Sequence, residues 1–346
     1  MHQSADILSL SRDEFSARLA AIGEKSYRAV QIIEWIYERQ ACSFEEMSSL
    51  PRSLRDRLAA EVPFPQLTER GRKVSSDGTV KFLFELADGQ MIETVFIPTE
   101  KRSALCISSQ AGCKFGCGFC ASGLGGWKRN LSAGEIVAQV LRARRAVAPE
   151  KVTHIVFMGV GEPFDNYDNV LKAARLLNAA DGGNIAARRI TISTCGLVPG
   201  IKRLAEEGLQ IELSVSLHAP NDRLRSQLMP VNKKYPLREL MPACRAYAKE
   251  TNRQVTFEYI LIKDLTCTPA AAAELAALMR GWLSKVNLIP YNPVAEFPYA
   301  TPAREAVFAF RQELERWGVI CTLRSPRGRD VGAACGQLRL GAGKRD

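Results

Sequence analysis

The chain has 346 residues, 46% of them hydrophobic, and a formal net charge of +10 from 47 Lys and Arg against 37 Asp and Glu. That length suits a catalytic domain of about 250 residues plus a small accessory unit. No apolar run reaches the ~18 residues of a membrane span, and the opening MHQSADILSLSRDEF lacks the basic stretch and apolar core of a signal peptide. Ten cysteines without an export signal argue against a disulfide framework and for metal or catalytic use in a reducing cytoplasm. The basic balance favours a polyanionic partner, RNA above all, with plain solubility as the alternative.

Residues 1–66 read as a helical accessory domain. Ser11 and Glu14 have the spacing of a capping box before an amphipathic stretch ending near Ile22. Residues 26–40 set Val30, Ile33, Trp35, Ile36 and Tyr37 largely on one broad face, and a third helix follows Pro51 with Leu54 and Leu58 on one side. These stripes read as the module's own core. Residues 67–98 read as a β-meander extension, with turns at Ser75-Ser-Asp-Gly78 and Ala87-Asp-Gly89. Its last strand, 91–98, carries Glu93 and stops at Pro98.

From residue 99 to 346 the pattern is regular alternation. Strands are expected at 104–109, 153–159, 189–194, 211–217, 255–261 and 286–290, with helices at 134–147, 167–179, 199–208, 237–252, 270–283 and 303–317. Six β/α units with apolar strands make this an α/β chain with a parallel sheet, as in a barrel, whose ligands gather at strand C-termini. The segment 318–346 adds a short strand and a Gly/Arg-rich loop carrying Cys335.

Cys113, Cys117 and Cys120 form a C-x3-C-x2-C set on a Gly-rich loop after the first of these strands. A [4Fe–4S] cluster is usually held by four thiolates, so three leave one iron open to a small molecule. The alternative is structural zinc, which wants four N or S ligands; no second C-x2-C pair exists, and histidine occurs only at His2, His154 and His218. After the next strand, Gly159-Val-Gly-Glu-Pro163 combines a flexible turn with a carboxylate at Glu162. Ser193, Ser216-Leu217-His218 and Asn292 all end or follow strands.

The cysteine spacing, with Phe119 before the third cysteine, resembles the radical S-adenosylmethionine (SAM) superfamily. The runs Cys106-Ile-Ser-Ser-Gln-Ala-Gly-Cys113, Arg129-Asn-Leu-Ser-Ala-Gly-Glu-Ile136 and Ala334-Cys335-Gly336-Gln337-Leu338 resemble the RlmN/Cfr family of RNA adenosine methyltransferases over nearly the whole chain. The resemblance implies a partial (βα)6 barrel holding a [4Fe–4S] cluster on Cys113, Cys117 and Cys120. It implies SAM binding by Gly161, Glu162, Ser193, Ser216, Leu217, His218 and Asn292. It also implies that Cys335 becomes S-methylated, that Cys106 resolves a covalent adduct, and that Glu93 takes the ring proton.

Taken alone, Glu93 is also readable as an exposed strand carboxylate, His218 as a satisfied strand end, and Cys106 and Cys335 as core residues. Cys195 reads as packing. The sequence departs from the family at Val160, where relatives carry Met, and at Lys263-Asp-Leu-Thr-Cys-Thr268. The implied function is methylation of C2 of an adenosine in 23S rRNA, and of the tRNA adenosine 3′ of the anticodon. The implied enzyme uses two SAM per turnover and an electron donor such as flavodoxin or ferredoxin, and works as a cytoplasmic monomer. Cfr-type C8 methylation and a non-catalytic metal-containing RNA-binding protein are the alternatives. Arg327 and Arg329 are the candidates for placing positive charge near Cys335, and they and Lys233 and Lys234 are candidates for meeting RNA.

Overall fold

A computed structural model describes residues 6–339. The N-terminal helices are α1 (Arg12–Ala21), α2 (Tyr27–Tyr37) and α3 (Arg52–Glu61). Ser11 and Glu14 form the expected capping box: the Ser11 hydroxyl accepts from the Glu14 N–H, and the Glu14 carboxylate accepts from the Ser11 N–H. In α2 the buried set is Ala29, Ile32 and Ile36, at helical spacing, while Val30, Ile33, Trp35 and Tyr37 are half-buried on its flanks. These helices share one continuous apolar core with the barrel rather than closing a core of their own. The Ser9 hydroxyl accepts from the Gly134 N–H at 2.9 Å, so the module also caps a barrel helix.

Strands β1 (Leu67–Val74), β2 (Val80–Leu86) and β3 (Met91–Pro98) form the meander. It is no separate layer. β3 pairs antiparallel with β4 (Ser103–Cys106), Val95 opposite Cys106, so the meander is one edge of a ten-stranded sheet. A hairpin of β5 (Gln110–Gly112) and β6 (Trp127–Asn130) follows, which the sequence reading did not foresee.

The chain then runs α4 (Ala133–Val147), β7 (His154–Phe157), α5 (Tyr167–Asn178), β8 (Ile190–Thr194), α6 (Val198–Glu206), β9 (Glu212–Ser216), α7 (Asp222–Leu228), α8 (Leu237–Thr251), β10 (Val255–Leu261), α9 (Pro269–Met279), β11 (Ser284–Pro290), α10 (Arg304–Arg316) and β12 (Cys321–Leu323). From β4 through β7, β8, β9, β10 and β11 to β12 every neighbour is parallel, with no pairing between the two ends: an open barrel of six βα units capped by a last strand. Helix α7, inserted before α8, is the second element the sequence reading missed.

Strand side chains alternate between two environments. Leu105, Ile155, Ile192, Leu213, Phe257 and Leu288 pack against the helices. The other parity, including Thr191, Ser214, Thr256, Glu258 and Asn287, lines the interior, a polar cavity of about 620 Å³. No helix among the described residues is long and apolar enough to cross a membrane.

Candidate active site

The β5–β6 hairpin brackets the cysteine loop. Gly112 has φ +79° and packs on the Gly126 backbone, where a side chain has no room; the Cys113 N–H then donates to the Gly126 carbonyl at 3.2 Å. The Gly118 N–H donates to the Leu228 carbonyl of α7 at 2.8 Å, and the Ala121 N–H to the Gly336 carbonyl at 2.8 Å. Cys113, Cys117 and Cys120 thereby line one cavity of about 160 Å³ with Glu162, Ser193, Cys195, Ser216, His218 and Cys335.

Burial pushes the Cys113 thiol up to about 11 and Cys117 well above its ordinary value, and Cys120 raises both further. Such thiols ionise against a metal, as iron–sulfur ligands do. Among the described residues no three His, Cys, Asp or Glu side chains converge on a single ion. A cubane binds each thiolate through a separate iron, so its ligand sulfurs stand apart, and the donor set fits.

The turn after β7 lies against the exit of β4. Gly161 has φ +106°, and a side chain there would meet Gln110 and Ser109; the glycine serves the packing of the chain on itself. The Glu162 N–H donates to Gln110 Oε1 at 2.9 Å, while its carboxylate accepts from the N–H groups of Phe164 and Cys195 at 3.0 and 2.7 Å. Burial raises its pKa and these hydrogen bonds oppose that.

His218 is buried at φ +58°, edge-on to the Phe119 ring, and its Nδ1 accepts from the Ile260 N–H at 3.2 Å. Burial, then Arg225, lowers it to about 3. It is therefore neutral with its proton on Nε2. Ser193 and Ser216 line the same cavity; Leu217 is fully buried and does not. Asn292 lines the neighbouring polar cavity and donates to the Cys335 carbonyl at 3.1 Å.

The C-terminal loop folds over the strand ends and sets Cys335 in the wall shared by both cavities. Cys106, at the end of β4, packs among Val95, Val160, Ala333 and Leu338. Burial pushes Cys106 up to about 12, neighbouring Cys335 raises it further, and Arg324 pulls it back. Glu93 is buried rather than exposed. Its carboxylate pairs with Lys81 Nζ at 2.9 Å and accepts from the Arg339 N–H at 2.9 Å.

The cation beside the two cysteines is Arg324. Its Nη1 lies 3.8 Å from Met158 Sδ, it lines both cavities alongside Cys335, and Cys335 is the largest influence raising its pKa, with Glu258 and Cys106 also contributing. Arg329 is occupied elsewhere: its Nε donates to Asn292 Oδ1 at 2.7 Å and its Nη2 to the Tyr291 carbonyl at 3.2 Å. Cys195 belongs to the cavity wall as well as to the packing around it. Lys81 was foreseeable, because the Ala87-Asp-Gly89 turn fixes a register that puts Leu83 opposite Glu93 and Lys81 diagonal to it.

An open parallel barrel with three thiols on the loop after its first strand defines a radical SAM enzyme, which uses a [4Fe–4S] cluster and SAM. The radical SAM superfamily signature matches residues 107–271, and that of the ribosomal RNA large subunit methyltransferase N-terminal domain matches residues 5–63. The crystal structure of a radical SAM methyltransferase from Sphaerobacter thermophilus superposes with a TM-score of 0.94 at 48% identity, over 96% of this chain and 98% of that one. Proteins named as the dual-specificity RNA methyltransferase RlmN are 48% identical in Geobacillus thermodenitrificans, over 96% of this chain and 92% of theirs, and 51% identical in Desulforudis audaxviator, over 88% and 96%. The chain belongs to the RlmN family of radical SAM RNA methyltransferases.

Proposed function

We propose that this enzyme methylates C2 of an adenosine in 23S rRNA, and the adenosine 3′ of the anticodon in tRNA, through an S-methylcysteine at Cys335. The observation that carries the reading is that Cys335, from the C-terminal loop, lines one cavity with the three-cysteine loop, while Cys106 lies buried beside that same C-terminal loop against Ala333 and Leu338.

Cys113, Cys117 and Cys120 would hold the cluster, and Gly161, Glu162, Ser193, Ser216, Leu217, His218 and Asn292 the SAM, with Leu217 acting through its backbone. When bound, the cluster supplies the electron that turns one SAM into a hydrogen-abstracting radical, while another SAM supplies the methyl group. Cys335 accepts that methyl, with the Arg324 guanidinium beside it in the shared cavity wall. The activated Cys335 methylene would add to the adenine, and the radical adduct would give one electron back to the one-electron carrier as Glu93 takes the ring proton. Cys106 would then attack the Cys335 sulfur, breaking its bond to the methylene carbon, which takes up a proton to become the product methyl as the Cys106–Cys335 disulfide forms. The target adenine leaves its stack to reach Cys335. An acidic one-electron carrier such as flavodoxin or ferredoxin delivers the electrons, and the enzyme works as a cytoplasmic monomer.

The test is incubation with 23S rRNA fragments and tRNA, followed by nucleoside mass spectrometry. 2-Methyladenosine is the expected product, and 8-methyladenosine would move the assignment to the Cfr reaction. In the same assay Cys106→Ala accumulates a protein–RNA crosslink at Cys335 with its cluster intact. Cys335→Ala forms neither methylcysteine nor crosslink. Normal turnover by Cys106→Ala removes the resolving role.

A further inference from the structure

Arg225, on α7, is fully buried. Among the described residues, all of its hydrogen-bond partners are neutral. Nε donates to the Leu217 carbonyl at 3.2 Å; Nη1 donates to Asn232 Oδ1 at 2.8 Å and to the Tyr235 carbonyl at 3.4 Å; Nη2 donates to the Cys195 and Ser216 carbonyls at 2.7 and 3.2 Å. A guanidinium taken out of water ordinarily needs an anion, because the desolvation of an unpaired ion is severe. The nearest carboxylate arrangement is indirect: Asn232 Nδ2 donates to Asp222 Oδ1 at 3.0 Å, so an amide stands between the acid and the cation. Besides His218 at the strand end it holds, the other ionisable groups around Arg225 are thiols, Cys195, Cys117 and Cys244. Leu224 and Leu228, on the same helix as Arg225, belong to an apolar cluster against which Cys117 and Cys120 pack.

The same side chain ties two segments of the site together. It grips the carbonyl of Cys195, which follows Ser193, and those of Ser216 and Leu217, which precede His218. The insertion that carries it also receives the cysteine loop, through the Gly118 N–H on the Leu228 carbonyl.

We infer that Arg225 is a positioning residue whose buried positive charge has the iron–sulfur cluster as its counter-ion, and that it makes the cluster easier to reduce. Adding one electron makes the cluster one unit more negative, so a fixed cation nearby favours the reduced form in the low-dielectric interior. Arg225 thus joins two tasks, holding the Ser193 and Ser216–His218 segments in place and setting the potential at which the site accepts its electron. The inference rests on the assignment of the cluster to Cys113, Cys117 and Cys120.

The experiment is an anaerobic redox titration of the reconstituted protein followed by electron paramagnetic resonance, with iron and sulfide content measured on each sample. Arg225→Gln is expected to keep its cluster and lose at least tenfold in the ratio of reduced to oxidised cluster at the wild-type midpoint, about 59 mV for a one-electron couple. Arg225→Lys, which keeps the charge but not the fork of donors, should recover most of that shift. Should Arg225→Gln fail to fold, the exchange D222N/N232D moves the carboxylate onto Arg225 at constant net charge and should shift the midpoint in the same negative direction. A fully loaded Arg225→Gln or exchange variant at the wild-type potential overturns the inference, as does an equal shift in Arg225→Gln and Arg225→Lys. Wild-type protein that binds no cluster overturns instead the cluster assignment beneath it.

Discussion

Arg324 lines both cavities alongside Cys335, where its guanidinium stands beside the charge carried by an attacking sulfur. Arg324→Met should therefore slow methylation of Cys335 by about tenfold, the rate effect of about 1.4 kcal/mol of lost charge stabilisation, while Arg324→Lys retains part of the rate. Peptide mass spectrometry of Cys335 after a fixed time with SAM reads both, and an unchanged rate in Arg324→Met removes the role. The sequence LRSPRGRD offers three arginines within six residues, and nothing in its pattern says which one reaches the cavity of the cysteine loop. The choice depends on β12 pairing with β11, after which the Arg324 N–H reaches back to the Leu288 carbonyl at 2.9 Å. Arg225 was hidden for the same reason: in NDRLRSQ it differs from exposed Arg223 only by its phase on a short helix.

The meander contributes more than an edge. Its first turn clasps the C-terminal loop: the Ser75 hydroxyl donates to Asp330 at 2.6 Å, the Gly328 N–H donates to Asp77 at 3.0 Å, and Lys81 donates to the Gly332 carbonyl at 3.1 Å. Burial raises Asp77, but the hydrogen bonds from Thr79, Gly328 and Ser75 outweigh it and bring the pKa down to about 2. A carboxylate depressed on folding stabilises the folded form above its unfolded value near 3.8, and that contribution fades as pH falls from there toward 2. The clasp is thus fully formed at neutral pH. Asp77→Ala should loosen the loop by about 1 kcal/mol per lost hydrogen bond, leaving cluster content and RNA-free cleavage of SAM intact while RNA methylation drops. Equal methylation by the variant would show that the loop needs no clasp. Elements of this kind were legible where the determinants are local. The capping box at Ser11 needs only three residues of spacing, and the strand–helix alternation needs only periodicity. The clasp joins Asp77 to Gly328, and its partners become neighbours only once the parallel strands curl the β12 end of the sheet round toward the meander end.

At the scale of the whole molecule, the net charge of +10 predicts RNA affinity that falls steeply with salt. Lys233 and Lys234 are exposed at the end of the α7 insertion. Replacing both with Ala should lower the slope of log affinity against log salt by about 2 if each meets a phosphate. Filter binding across a salt series measures it, and an unchanged slope takes these lysines out of the interface. Arg329 is unsuited to that test, because it holds Asn292. The barrel itself was readable from its apolar strands, but the polar side of the same strands was not. Glu258, Ser214 and Asn287 sit on β10, β9 and β11 and meet only across the interior, where the Asn287 amide donates to Glu258 at 2.8 Å.

The clasp also closes last along the chain, since its two sides lie 251 to 255 residues apart. The turn at Ser75–Asp77 and the cysteine loop leave the ribosome early, whereas the segment carrying Asp330 and Cys335 emerges after every barrel strand has been made. Until that segment docks, the three thiols stand uncovered on the side where the Gly336 carbonyl later receives the Ala121 N–H. A chain ending before Asp330 would therefore present its three thiols more openly than the full chain does, which faster thiol alkylation of that shortened chain would register.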